Sequence, residues 1–228
     1  MSIKYLNKST MNNKKMKLHS GILGRQFSLL VLLLISLTSF QVVADTDNEL
    51  EIQKPVIALH DALLQLMKNA GTNSFTDRYD SLAPVIKQNF DTALISKVVL
   101  SRYWQALDEI KQDEFIDLFN HLTISTYVSR FDSYSDEKFM LISIEQMKKN
   151  RYMVKTELLI TNKDDVSFNY IVQNDPDNDG NWKIISVIAN GINDLALKRA
   201  EYSAVIQDKG YDSLLTDIRQ KISDLETK

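Results

Sequence analysis

The sequence predicts an α+β domain in which helices come first, an antiparallel sheet follows, and further helices close the chain. Apolar residues recur every three to four positions up to about residue 131 and again after about residue 193, which is typical of amphipathic helices. Between about 139 and 189 they alternate with a period of two. Short turns join these strand-like segments, so consecutive strands are expected to pair antiparallel.

Residues 1–44 have the composition of a cleavable secretory signal. They hold six Lys or Arg and no Asp or Glu, and an apolar run extends from Phe27 to Leu37. Val42 and Ala44 then supply small side chains at positions −3 and −1 of a cleavage site. A retained anchor is the alternative, but the apolar run of 11 residues is shorter than a membrane-spanning helix requires. We therefore expect export with cleavage near Ala44.

The charge of the remaining chain excludes several classes of partner. Residues 45–228 carry 21 basic and 30 acidic residues, a formal net charge of −9. This balance argues against nucleic-acid binding and against docking on a membrane by a polybasic patch. The chain has no Cys, so it uses neither disulfides nor thiol chemistry. We expect a flexible segment over 45–54 and one domain over 55–228.

Four helices are expected before the sheet. Pro55 suits the first position of a helix that ends near Gly71. Ser74, with Asp77 three residues later, resembles a capping box that opens a second helix, which Pro84 should bend or divide. Asp91 can cap a third helix over about 92–107.

The fourth helix, about 112–131, has two apolar sides. Phe115, Leu118, Phe119 and Leu122 lie on one side at 100° per residue, and Ile124, Tyr127, Val128 and Phe131 lie on roughly the opposite side. One interpretation is a core helix that is buried by different neighbours at its two ends. The other is a helix with one half facing the core and the other half lining a cavity.

Four strands and two closing helices complete the predicted order. The strands are expected around 139–144, 152–160, 166–172 and 182–188, and the helices over about 193–208 and 211–226. In each of the last three strands, alternate residues share one face. These are Tyr152, Val154, Thr156, Leu158 and Ile160 in the first, Val166, Phe168, Tyr170 and Val172 in the second, and Trp182, Ile184, Ser186 and Ile188 in the third.

Residues for catalysis or tight metal binding are scarce. Only His60 and His121 follow Ala44, each without a second His at ligand spacing, so the ordinary interpretation is a hydrogen-bonded or exposed His. The Asp175–Asp179 loop followed by Gly180 matches the first half of an EF-hand loop, but Ser186 stands where the bidentate Glu belongs. A solvated hairpin loop is expected there, with a loose Ca²⁺ site as the alternative. No metal and no cofactor are predicted.

Charged residues near the closing helices allow two interpretations. Asp194, Lys198, Arg199 and Glu201 are typical of a solvated helix face. Alternatively, Lys198 or Arg199, or Arg102 and Arg130 beside aromatic residues, contact an anionic head group at the mouth of a cavity. The nine Phe, nine Tyr and two Trp of the chain can build either a core or a pocket for a fatty ligand.

Several motifs in order carry a resemblance to a known family. They read VLSRYW at 99–104, YVSRFDSY at 127–134, NWKIISVIANGINDLA at 181–196, RAEY at 199–202 and KGYDSL at 209–214. Together they resemble the MlaC (toluene tolerance) family of periplasmic phospholipid-binding proteins, including its hopanoid-associated branch. The similarity extends from about Val56 to Ile222.

The resemblance implies a periplasmic lipid carrier and not an enzyme. Such a carrier would bind phospholipid as its cargo. It would shuttle the lipid between an outer-membrane lipoprotein complex and an inner-membrane ABC transporter with an MCE-domain subunit, and so serve outer-membrane lipid asymmetry. It is expected to be a monomer. The implied fold is a cone of the NTF2-like type, with helices packed on a strongly curved antiparallel sheet of four or slightly more strands around an apolar cavity.

The resemblance and the two-sided helix together favour the cavity interpretation. The expected lining residues are Val99, Tyr103, Phe119, Leu122, Tyr127, Phe131, Phe168, Tyr170 and Ile188, and the expected head-group contacts are Arg102 and Arg130. The alternatives are an exported NTF2-like enzyme, such as an isomerase or hydrolase, a carrier of hopanoid or another hydrophobic molecule, and a scaffolding subunit with a filled core. Among the inward strand positions 166–172, only Tyr170 offers a catalytic group, which weighs against the enzyme.

Overall fold

The structure, a computed structural model, describes residues 43–174 and 180–227. The predicted signal segment, except for its last two residues, and the Asp175–Asp179 loop lie outside the described residues, so both remain predictions. Within the described part of the chain, no helix combines the length and apolarity needed to cross a membrane.

The first helix, α1, spans Val43–Lys68 and starts well before the predicted position at Pro55. Residues 45–54 are therefore helical in the structure, whereas the sequence predicted a flexible segment there. Ile52 explains the extension, because it is fully buried and continues the apolar stripe of Val56, Leu59 and Leu63 by one further turn. Burial of this stripe outweighs the hydrogen bond that Pro55 cannot donate inside the helix.

Helices α2 (Phe75–Asn89) and α3 (Thr92–Leu100) begin at the predicted caps. The Ser74 Oγ accepts from the Asp77 amide and the Asp77 carboxylate accepts from the Ser74 amide, both at 3.1 Å. The Asp91 Oδ1 accepts from the Leu94 amide at 2.9 Å. Helix α2 runs through Pro84 undivided. Helix α3 ends earlier than predicted, because Ser101 has a φ of 52° and a 3₁₀ helix follows over Ser101–Ala106.

The two-sided helix is α4, Glu109–Arg130, and both of its apolar sides are buried in part. Phe115, Phe119 and Leu122 are buried on one side, and Ile124 and Val128 on the other. Its amino end is capped by Asp108, whose Oδ1 accepts from the Lys111 amide at 2.9 Å.

The sheet is an antiparallel meander, as predicted, with a short fifth strand at its edge. The strands are β1 (Lys138–Lys148), β2 (Arg151–Leu159), β3 (Val166–Asn174), β4 (Trp182–Ala189) and β5 (Ile192–Asn193), and they pair in this order. A β-bulge interrupts the pairing of β3 with β4: Ile171 pairs with Ser186 and Val172 with Ile184, so Ile185 is extra.

Two helices close the chain close to their predicted bounds. They are α5 (Asp194–Lys209) and α6 (Tyr211–Glu226), separated by Gly210, whose φ of 89° suits glycine best. Helix α4 packs on α2, α3 and α6, and helices α2, α3 and α5 contact β4. The helices therefore cover one face of the sheet, and the α+β class is confirmed.

His60 lies in the core between α1 and the sheet. Its ring stacks on Phe139 at 3.8 Å between centroids, and its Nε2 is 3.1 Å from the Tyr170 hydroxyl. Burial lowers the pKa of His60 from 6.5 to about 4, so the ring is neutral at pH 7. His60 is thus a hydrogen-bonded core residue, which agrees with the ordinary interpretation of its sequence context.

The depressed pKa of His60 predicts acid destabilisation. Above pH 6.5 the ring is neutral in the folded and the unfolded chain, so it adds no pH dependence. Between pH 6.5 and about 4 the unfolded chain binds a proton that the folded chain does not, and the free energy of unfolding should fall by up to ~3 kcal/mol. Urea unfolding of the wild type and of His60→Phe across this range measures the effect. Equal pH slopes for the two proteins would contradict it.

Candidate functional site

A cavity of about 410 Å³ lies between the helices and the covered face of the sheet. Most of its wall is apolar and comes from α1, α3, α4 and α5, from Phe90 just beyond α2, and from three strands. The apolar lining residues are Met67, Phe90, Ile95, Phe119, Leu122, Tyr127, Phe131, Leu158, Ile160, Val166, Phe168, Ile185, Val187, Ala189 and Leu195. The volume falls in the range of ordinary ligand-binding pockets.

Five of the nine predicted lining residues border this cavity: Phe119, Leu122, Tyr127, Phe131 and Phe168. Three of them form one continuous aromatic wall between α4 and β3. The Tyr127 and Phe131 rings are 5.9 Å apart and stacked, and the Phe131 and Phe168 rings are 6.3 Å apart. Residues from both apolar sides of α4 therefore border the cavity, with Tyr127 and Phe131 near the carboxyl end of the helix.

Two other predicted lining residues belong to the packed core instead. Val99 is fully buried, one helical turn beyond the cavity-lining Ile95. Tyr170 is 1% exposed, and its hydroxyl is paired with His60 behind the ring of Phe168. Neither side chain borders the cavity.

Tyr103 and Arg102 lie away from the cavity, contrary to the prediction. The Arg102 guanidinium donates to the Tyr103 hydroxyl at 2.8 Å and lies 4.9 Å from the centroid of the Tyr103 ring. The positive φ of Ser101 explains their position: it ends the α-helical period, so Tyr103 no longer shares a face with Val99.

Ile188 also does not line the cavity, because of the bulge at Ile185. Before the bulge, the inward face of β4 holds Ile184, opposite Val172; after it, that face holds Val187 and Ala189, opposite Tyr170 and Phe168. A one-residue shift moves every following side chain to the other face. Ile188 therefore pairs with Asn169 on the opposite face of the sheet.

Charged side chains surround the opening of the cavity. Arg130, predicted as a head-group contact, lines it, together with Glu137, Lys163, Asp194, Lys198 and Lys221. Arg130, Lys163, Asp194 and Lys221 are exposed to solvent while they line the cavity, so they mark its opening. The sequence offered Lys198 or Arg199 as an alternative head-group contact, and it placed Asp194 on a solvated helix face. Lys221 was missed, although its i, i+3 spacing from Ile218 places it beside the apolar stripe of α6.

Tyr127 shows how strongly the cavity wall disfavours charge. Burial raises the pKa of the Tyr127 hydroxyl well above its usual range, Asp194 raises it further, and Arg130 opposes the shift. The phenol is therefore neutral at every physiological pH. The wall can accept an apolar chain, while the opening carries charge.

The part of the cavity wall that the strands contribute is almost entirely apolar. The strand residues that line the cavity in the described part of the chain are apolar, except for Ser186, and none carries a carboxylate. Across residues 43–174 and 180–227, no group of three His, Cys, Asp or Glu side chains could hold a metal ion. The arrangement is suited to binding an amphiphile with an apolar part inside and a polar part at the opening.

Comparison with known protein families gives a match over most of the chain. The family described as "MlaC protein" matches residues 58–220, most of the chain. A curated relative is the "Intermembrane phospholipid transport system binding protein MlaC" of Haemophilus influenzae, which is 20% identical over 126 residues. That alignment covers 55% of this chain, and the chain spans 59% of the length of this relative.

A solved structure shares the fold. The phospholipid-binding protein from Ralstonia solanacearum, in complex with a phospholipid, superposes with a TM-score of 0.67 at 18% sequence identity. The match covers 77% of this chain and 98% of that chain. The whole domain architecture of this neighbour is therefore present here.

Proposed function

The chain belongs to the MlaC family, and from that premise we propose that it is a carrier of phospholipid between membranes. The single observation that carries the proposal is the apolar cavity of about 410 Å³ with a charged opening. An acyl chain enters the cavity beside Tyr127, Phe131 and Phe168, and the head group stays at the opening near Arg130. The relative and the structural neighbour, both described by phospholipid binding, support this assignment.

Burial of the acyl chain provides the binding energy without any catalytic step. Each buried methylene contributes ~0.8 kcal/mol, so a tail of about fifteen methylenes gains on the order of 12 kcal/mol before ordering costs are subtracted. Binding of this strength requires release by a partner that opens the cavity. We propose that the partners are an inner-membrane ABC transporter complex with an MCE-domain subunit and an outer-membrane lipoprotein complex, which a monomeric carrier would visit in turn.

The proposed place of work is the periplasm. The basic, apolar and small-residue segments of residues 1–44 support export and cleavage near Ala44. The net charge of −9 over residues 45–228 would limit adhesion to anionic bilayers between the two visits.

Lipid extraction tests the carrier function directly. Residues 45–228, purified without detergent and extracted with organic solvent, should yield phospholipid by mass spectrometry, in a fixed ratio to protein. Lipid-free protein mixed with vesicles should regain the same ratio. A folded protein that neither copurifies with phospholipid nor takes it up would exclude the carrier function and leave the scaffolding alternative.

A further inference from the structure

Three cationic side chains from three different helices meet at the opening of the cavity. Arg130 lies in the last turn of α4, Lys198 in the second turn of α5, and Lys221 on α6. All three line the cavity. Residues so far apart in the sequence are brought together only by the packing of these helices.

Lys221 and Arg130 are both close enough to Lys198 to disfavour its positive charge. The pKa of Lys198 is lowered, first by burial, and Lys221 and Arg130 lower it further, while Asp194 and Glu201 act in the opposite direction. The side chain of Lys198 is only 16% exposed. Holding like charges together in a partly desolvated place is unfavourable unless an anion compensates them.

The protein itself supplies little negative charge to compensate these cations. The Lys198 Nζ is 3.9 Å from the Asp194 Oδ1, which is an ion pair without a hydrogen bond. Within residues 43–174 and 180–227, Arg130 and Lys221 form no ion pair with a carboxylate. Lys163 adds a further positive charge to the lining, and the buried carboxylate of Glu137 is held by the Ser135 amide. Residues 45–228 carry a net charge of −9, so the excess of positive charge at the cavity opening is local to this site and does not reflect the composition of the domain.

We propose that Arg130, Lys198 and Lys221 bind the phosphate of the cargo, and that they make the protein select net anionic phospholipids over zwitterionic ones. The proposal rests on the proposed carrier function and adds the head-group class. Phosphate oxygens accept charge-assisted hydrogen bonds from Lys and Arg, which strengthen where water is partly excluded. The ammonium group of a zwitterionic lipid would meet the same three cations and be repelled.

A competition experiment tests this selectivity. Lipid-free protein is incubated with vesicles that contain phosphatidylglycerol and phosphatidylethanolamine in equal amounts with identical acyl chains, and the bound lipids are quantified by mass spectrometry. Because both lipids share one vesicle surface, surface charge cannot bias the result. The wild type should hold phosphatidylglycerol in about five-fold excess, equivalent to ~1 kcal/mol.

Charge variants identify the residues responsible. Lys221→Glu and Arg130→Gln, both at exposed positions, should each bring the lipid ratio close to one, mainly through loss of bound phosphatidylglycerol. Lys149→Glu is the matched control, because it changes the charge at an exposed position in the β1–β2 turn that does not line the cavity; its ratio should equal the wild-type ratio.

The outcomes separate the two proposals. Equal uptake of both lipids by the wild type, or an unchanged ratio in Lys221→Glu, overturns the head-group selectivity and leaves the carrier function intact. Uptake of neither lipid overturns the carrier function. Titration with inorganic phosphate provides the last arm: if lipid-free protein binds free phosphate as tightly as phosphatidylglycerol, the cations form a site for free anions and the lipid selectivity is overturned.

Discussion

Replacement of Tyr127 by Asp is expected to reduce phospholipid binding by about 100-fold or more while the protein stays folded. The position is in the last turns of α4, where the Tyr127 ring contacts Phe131 and Phe90 across the cavity wall. In the lipid-free protein, water in the cavity can solvate a carboxylate. Once an acyl chain fills the cavity, that water is displaced, and burial of the carboxylate in the apolar wall costs ~3 kcal/mol or more. Asp194 adds to this cost, and Arg130 offsets part of it.

Two control variants define what this loss means. Tyr127→Phe keeps the ring and should keep the bound lipid, because the hydroxyl contributes no charge to the wall. Tyr103→Asp introduces the same carboxylate on the 3₁₀ helix, at a position that the sequence predicted to line the cavity and that the structure places outside it. It should retain lipid at the wild-type level. Loss of lipid in Tyr103→Asp, or its retention in Tyr127→Asp, would show that the lipid occupies another site.

Some features of this site and fold could be predicted from the sequence because they depend only on nearby residues. The two apolar sides of α4 could be predicted because helical periodicity is local, and the structure brings Phe119 and Leu122 from one side and Tyr127 and Phe131 from the other to the cavity. The caps at Ser74 and Asp91 are local for the same reason, since each needs only an amide within three residues. Such features depend on near neighbours in the chain.

The residues that were misplaced depend on the backbone or on distant partners. Periodicity predicts Ile188 to be inward, and only the pairing with β3 reveals the bulge at Ile185 that turns it outward. Tyr103 is displaced by the positive φ of a single residue, Ser101, which no sequence motif announces. Lys221 reaches the opening because α6 packs on α4, a contact between segments about 100 residues apart.

Arg78 is a further residue of this kind, and its replacement by Ala should cost ~3 kcal/mol of unfolding free energy. The residue is on α2, only 8% exposed, and its guanidinium donates to the carbonyls of Val128 and Phe131, the latter at 3.0 Å. These carbonyls lie at the carboxyl end of α4, where no further helical amide can satisfy them. In Arg78→Ala both acceptors lose a charged donor in a buried place.

A comparison of two arginines tests whether this loss comes from burial. Arg219→Ala removes an exposed pair with Glu114 at 2.6 Å, and it should lower the free energy of unfolding by less than ~1 kcal/mol. Urea unfolding measures the loss in both variants, and the dependence of the unfolding free energy on urea concentration should keep its wild-type slope. Equal losses would mean that Arg78 acts as an ordinary surface charge.

The position of Arg78 also connects stability with the site. The two carbonyls that it holds belong to the same turn as Tyr127, Arg130 and Phe131, which line the cavity. Release of this turn should let the aromatic wall move, so Arg78→Ala should bind phospholipid more weakly even at temperatures where it is fully folded.

Arg78→Lys keeps the charge but not the planar guanidinium that reaches both carbonyls, and it should recover only part of the stability and of the lipid binding. If lipid binding instead stays at the wild-type level in folded Arg78→Ala, the carboxyl end of α4 keeps its place without this anchor, and the cavity wall is held by its aromatic contacts alone.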